Sequence, residues 1–201
     1  MKKLVLTIAS ALFISVLALT AAPAGDNNDN NSASHNVSIS IPTVALVDVE
    51  GEGNSEAGTI NLSPDISSLE AGSAVDFSTA TNSSLWLNYT SIVEGSKKNP
   101  KERNISVQLD DDKNLPEGIS IVLSARNAST GQGQKGQAVS GNITLTKNAQ
   151  DIVTGIGSCY TESGYQKGHQ LTYALNMDID NYADLLADSY EVEITYTITG
   201  D

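Results

Sequence analysis

Residues Glu191 to Thr199 read EVEITYTIT, and this stretch decides the fold. Val192, Ile194, Tyr196 and Ile198 alternate with Glu191, Glu193, Thr195, Thr197 and Thr199. A period of two turns one set toward a core and the other toward water, which is the signature of a half-buried β-strand. Working outward, the same period runs through Leu171, Tyr173, Leu175, Met177 and Ile179, with Thr172, Asn176 and Asp178 on the opposite face. Val37, Ile39 and Ile41 alternate with Ser38 and Ser40, and a second apolar piece runs from Val44 to Val49 beyond Pro42, a residue suited to an edge or a bend.

Further strands are expected at Thr59–Ser63, Ala74–Ser78, Leu85–Ile92, Asn104–Leu109, Ile119–Ala125, Gly141–Thr146 and around Ile152 and Val153. Tyr182–Ala187 and Ser67–Ala71 read as one or two helical turns each, too short to form a layer. About ten short strands with turn signals between them predict an all-β chain, a two-sheet antiparallel sandwich of immunoglobulin-like or jelly-roll-like form. A closed barrel is the main alternative. Three longer connections are expected, at 94–103, 127–137 and 155–168, and loops of this kind carry function on a β scaffold.

The amino-terminal end supplies an address. Lys2 and Lys3, the apolar run Leu4–Leu19 and the small-residue exit Ala22-Pro23-Ala24 form an export signal over 1–24. An uncleaved anchor fits less well, because the run falls short of the roughly 20 apolar residues that cross a bilayer and is interrupted by Thr7, Ser10 and Ser15. Residues 25–35 read GDNNDNNSASH, a polar tether with almost nothing to bury. The remainder, 36–201, is expected to form one β-sandwich domain outside the cytoplasm: in the periplasm, on the cell surface or secreted. No membrane insertion is expected once the signal is removed.

Charge narrows the partners. The chain carries 11 basic and 24 acidic side chains, net −13, and loss of Lys2 and Lys3 leaves 9 against 24, or −15. Such a field repels phosphate backbones and anionic lipid, so nucleic acid is not an expected partner. Cys159 is the single cysteine, and no internal disulfide can form.

Catalytic chemistry finds little footing. Of the two histidines, His35 lies in the tether and His169 at the start of the Leu171 strand, with no nucleophile-elbow motif in the chain. The chain is therefore read as a non-enzyme, with no catalytic residue. No cofactor is expected; calcium is the one cation its oxygen-rich clusters could hold, at Asp178, Asp180 and Asp184 or at Asp110–Asp112, although neither cluster has calcium-loop spacing. Six of seven tyrosines fall in the last 42 residues. Tyr160 and Tyr165 lie in a glycine-containing loop, where a flat ring with a polar tip can stack on a sugar or pack on a protein, or can simply cap the end of the fold.

The signal, the alternating NVSISIPTVALVDV of 36–49 and the closing YADLLADSYEVEITYTIT of 182–199 together resemble the exported subunits of bacterial pili, the spore-coat-U-like and archaic fimbrial kind. The paired cysteines of many such subunits are missing. The resemblance implies an incomplete immunoglobulin-like sandwich, a structural or adhesive surface role, and an amino-terminal segment that completes a neighbouring subunit. Val37, Ile39 and Ile41 are then the strand-exchange residues, their partners being further copies of the chain or other surface proteins. The simpler reading is that they complete their own sheet. The alternative function is a binding module for an extracellular glycan or protein, using the loops 127–137 and 155–168.

Overall fold

The computed structural model describes residues 34–53, 57–96, 98–111 and 114–199. The export signal and most of the tether lie outside the described residues. Backbone contacts divide the chain into two compact units, Met1–Ser40 and Ile41–Asp201. In the first, residues 34–40 carry no helix or strand, and Val37 and Ile39 are 73% and 81% exposed.

The second unit is built of antiparallel strands: β1 Val44–Glu50, β2 Thr81–Ile92, β3 Gly95–Ser96, β4 Asn99–Pro100, β5 Arg103–Leu109, β6 Ile119–Ala125, β7 Gln132–Ala138, β8 Ile143–Thr144, β9 Gln150–Tyr160, β10 His169–Met177 and β11 Ile194–Ile198. Nine of them form one large sheet with the path β11-β5-β9-β2-β10-β6-β8, with β1 added on β2 and β7 on β9. β3 and β4 make a small hairpin of their own inside the 94–103 connection. Alternation is clearest in β5, which is buried at every second residue from Arg103 to Leu109.

Hydrogen bonds also join strands that stand far apart on that path. The hydroxyls of Tyr173 on β10 and Tyr196 on β11 lie 2.6 Å apart. The Leu109 amide at the end of β5 donates to the Thr146 carbonyl just beyond β8 at 2.9 Å. Arg103, only 3% exposed, donates from β5 to the Val44 carbonyl on β1 at 2.8 Å. Around these links lies one apolar core, with Leu87, Ile105, Leu123, Ile152, Ile156 and Leu171 at 0% exposure. At roughly 1.5–3 kcal/mol for each aliphatic side chain removed from water, this core is the main source of stability.

Several expectations are corrected. Ile41 is 74% exposed and, like Val37 and Ile39, lies outside any strand. Thr59–Ser63 keeps its alternation, with Ile60 and Leu62 packed on the core, but forms no ladder. Ala74–Ser78 is irregular and runs into a 3-10 turn, Phe77–Thr79, capped by Asp76, whose carboxylate accepts from the Ser78 amide. The segment 182–187 contributes only to a 3-10 turn over Ile179–Asp184. Residues 127–137 and 155–168 are not simple loops, since β7 occupies 132–138 and β9 runs to Tyr160.

The β7 error has a clear physical origin. Gly131, Gly133 and Gly136 all take positive φ, and a Cβ on Gly131 would stand 1.9 Å from the Tyr160 carbonyl oxygen. Here glycine marks a strand pressed against its neighbour through bulges rather than a flexible connection.

Candidate functional site

Two polar centres lie near the junction of β2, β9 and β10. The first is interior. His169 opens β10, is fully buried, and is in register with Leu87 of β2. Its Nδ1 lies 2.8 Å from the Arg126 carbonyl, an acceptor, so Nδ1 carries the proton. Its Nε2 faces the Tyr89 hydroxyl at 2.8 Å, with the two rings stacked at 5.6 Å. The same hydroxyl lies against the Lys135 carbonyl, so its one proton is shared between two acceptors, that carbonyl and Nε2. Burial drives the imidazole down to about 4, against the pull of the Arg126 carbonyl and helped by the Lys135 charge.

Around this pair the backbone and the neighbouring side chains are tied together. The Tyr89 amide donates to Thr161 Oγ1 at 2.9 Å, and the Thr161 amide returns a bond to the Tyr89 carbonyl at 3.1 Å. Thr130 Oγ1 donates to the Thr161 carbonyl at 2.6 Å and accepts from the Gly168 amide at 3.0 Å. The Lys135 ammonium is held by the carbonyls of Thr130 and Ala128 at 2.6 and 3.2 Å. Cys159 is buried and its thiol is pushed up to about 11 by that burial, which leaves it a packed side chain rather than a thiolate.

The second centre is a surface groove of about 480 Å3. Register builds it: Leu46 of β1 stands opposite Thr90 of β2, and Thr90 stands opposite Tyr160 of β9, while two pairs further along Asp48 faces Asn88. Residues at matching positions share a face of the sheet, so these side chains form a short row across three strands. Glu162 and Ser163, from the turn after β9, close one end. Glu162 holds φ +70, a conformation costly for a non-glycine residue. The Lys167 ammonium, 2.7 Å from its carboxylate, keeps the Glu162 carboxyl below its ordinary range.

Asn88 lines this groove and is only 4% exposed. Its Nδ2 donates to the Trp86 and Lys167 carbonyls at 3.3 and 3.1 Å, but its Oδ1 has no partner. Sequence reasoning missed Asn88, because Asn88-Tyr89-Thr90 reads only as a glycosylation sequon inside a strand. Its registry with Asp48 becomes visible only after β1 and β2 pair.

Of the tyrosines singled out from the sequence, Tyr160 is 47% exposed and forms a wall of the groove. Tyr165 packs edge-on against Trp86, centroids 6.5 Å apart, and does not line the groove. A second depression of about 460 Å3 lies along β7, lined by Gly133, Gln134, Lys135 and Thr154. Asp178, Asp180 and Asp184 all sit at one 3-10 turn, where Asp178 caps the Asp180 amide at 3.2 Å. Among the described residues no three His, Cys, Asp or Glu side chains gather as a metal site. Among them too, no helix is long and apolar enough to cross a membrane.

Comparison of the chain with protein-family models, with curated proteins and with solved structures gives no match.

Proposed function

We propose that the chain is an exported, non-enzymatic surface subunit, structural or adhesive, whose apolar arm at Val37, Ile39 and Ile41 adds a strand to another copy. The carrying observation is the arm itself. Three alternating apolar residues at 73%, 81% and 74% exposure stand immediately before β1 and belong to no ladder. Exposed apolar alternation of this kind is a hazard unless a partner sheet covers it, and an edge strand is covered by backbone hydrogen bonds together with side-chain pockets.

The finer architecture that goes with this reading is a large sheet doubled back into a sandwich of immunoglobulin-like or jelly-roll-like form. Adjacent strands are about 4.8 Å apart, so β10 and β11, four places apart on the path, would be separated by roughly 19 Å in a flat sheet. The 2.6 Å contact of Tyr173 with Tyr196 favours folding back. The complete burial of His169 supports the non-enzymatic reading, since a general base must come within hydrogen-bonding reach of its substrate.

β1 belongs to the home sheet, so a test must spare it. Ile39→Asp with Ile41→Asp should abolish detergent-resistant multimers of the exported protein while leaving its melting unchanged. An intact protein that is wholly monomeric at all concentrations would overturn strand exchange.

A further inference from the structure

The groove between β1 and the turn after β9 has the features of a ligand site, and its chemistry selects the ligand. We propose that it binds a neutral sugar ring of an extracellular glycan, with Tyr160 as the stacking wall and Asn88 and Asp48 as the hydroxyl acceptors. The inference rests on the adhesive reading above and gives that reading a place and a ligand class.

Three observations converge. First, the volume of about 480 Å3 falls inside the usual range of roughly 300–1,000 Å3 for small-ligand clefts. Second, Asn88 Oδ1 is a buried acceptor left unpartnered while Nδ2 of the same amide is doubly used, which fixes the amide orientation. Leaving such an acceptor dry is costly; its oxygen has less than 1 Å2 of exposed surface, and a ligand hydroxyl that turns the Asn88 side chain enough to reach it removes that cost. Third, the wall is a half-exposed tyrosine in register with Thr90, placed to meet the C–H face of a ring.

Charge separates the ligand classes. Asp48 repels an anion, while the Lys167 contact offsets the charge of Glu162 and leaves Asp48 as the one carboxylate to act. One carboxylate oxygen of Asp48 accepts from the Val49 amide at 2.7 Å, which holds the side chain in a fixed orientation. A carboxylate, an amide oxygen and the hydroxyls of Thr90 and Ser163 are the complement of a polyol, which offers donors and acceptors without charge. Tyr165, paired with Trp86, lies outside this set.

The test is an array of neutral hexose and N-acetylhexosamine oligosaccharides, probed with the purified exported protein and repeated in solution for any spot that binds. Saturable binding is expected, weakened at least about tenfold by Tyr160→Ala and by Asp48→Asn, and retained by Tyr165→Ala. Circular dichroism on each variant shows that the fold is kept. No saturable binding to any neutral glycan, binding confined to charged ligands, or equal binding by Tyr160→Ala and Asp48→Asn would each overturn the proposal. Multimer formation is scored separately with Ile39→Asp and Ile41→Asp, so loss of the sugar site and loss of strand exchange are told apart.

Discussion

His169 and Asn88 are both buried polar residues on neighbouring strands, and they differ in one respect that separates their roles. Each polar atom of the His169 ring has a partner, and those partners are themselves bonded onward through Tyr89, Lys135, Thr161 and Thr130. Asn88 spends its two donors on backbone carbonyls and leaves its acceptor bare. A closed network of this sort rigidifies the junction of three strands. A buried acceptor without a partner, on a residue that lines a groove, is an invitation to a ligand. Breaking the first should cost stability, and breaking the second should cost binding.

The largest effect is expected from His169→Ala. It strands the Arg126 carbonyl, removes one of the two partners of the Tyr89 hydroxyl and leaves a hole at a fully buried position, so urea unfolding should report a loss of about 3 kcal/mol or more. Retention of wild-type stability would show that the network is slack.

A pH profile of stability comes next. Folding lowers the His169 pKa from 6.5 to about 4, so the unfolded chain takes up the proton first as the solution is acidified. The folded state therefore keeps its full advantage above about pH 6.5, loses it progressively as pH falls toward 4, and loses little more from this group below that. The total is on the order of 3 kcal/mol. Unfolding midpoints measured across that window should fall, and His169→Gln should flatten the histidine part of the slope. Carboxylates held below their ordinary range, such as Glu162, add a loss at lower pH.

The two centres were unequally legible in the sequence. Strands whose apolar residues recur at every second position, β10 and β11 above all, were readable because that period marks the face turned to the core. β7 was not, because its fit to β9 depends on missing Cβ atoms, and glycine spells a loop when the neighbour is unseen. His169 could be marked as a strand-start histidine but not as Tyr89's partner, since 80 residues separate them in the chain. Tyr160 was visible as an aromatic in a polar context. Its companions Asp48 and Asn88 were not, because only cross-strand registry brings them to one face.

Thr161→Val tests the border between the centres. Its hydroxyl accepts from the Tyr89 amide, and the residues that follow it, Glu162 and Ser163, close the groove. Loss of that acceptor should cost about 1–3 kcal/mol in urea unfolding. If the centres are separable, sugar binding measured under native conditions changes much less than stability does.

The smallest stability effect belongs to Asp48→Asn. The residue is exposed, and the amide oxygen of asparagine can accept from Val49 as the carboxylate does, so the change in unfolding free energy should stay within about 0.5 kcal/mol. Tyr160→Ala gives up more, though still under about 1 kcal/mol, because a half-exposed ring at the end of β9 carries little of the core. These values set the comparison with His169. In the interior centre the residues that hold the fold are the ones whose loss is felt, so no variant there can separate binding from folding. In the groove the two quantities come apart. A variant such as Asp48→Asn that melted well below the intact protein would place the groove with the interior network as a structural element, and unchanged melting together with lost sugar binding would establish it as a surface kept open for a ligand.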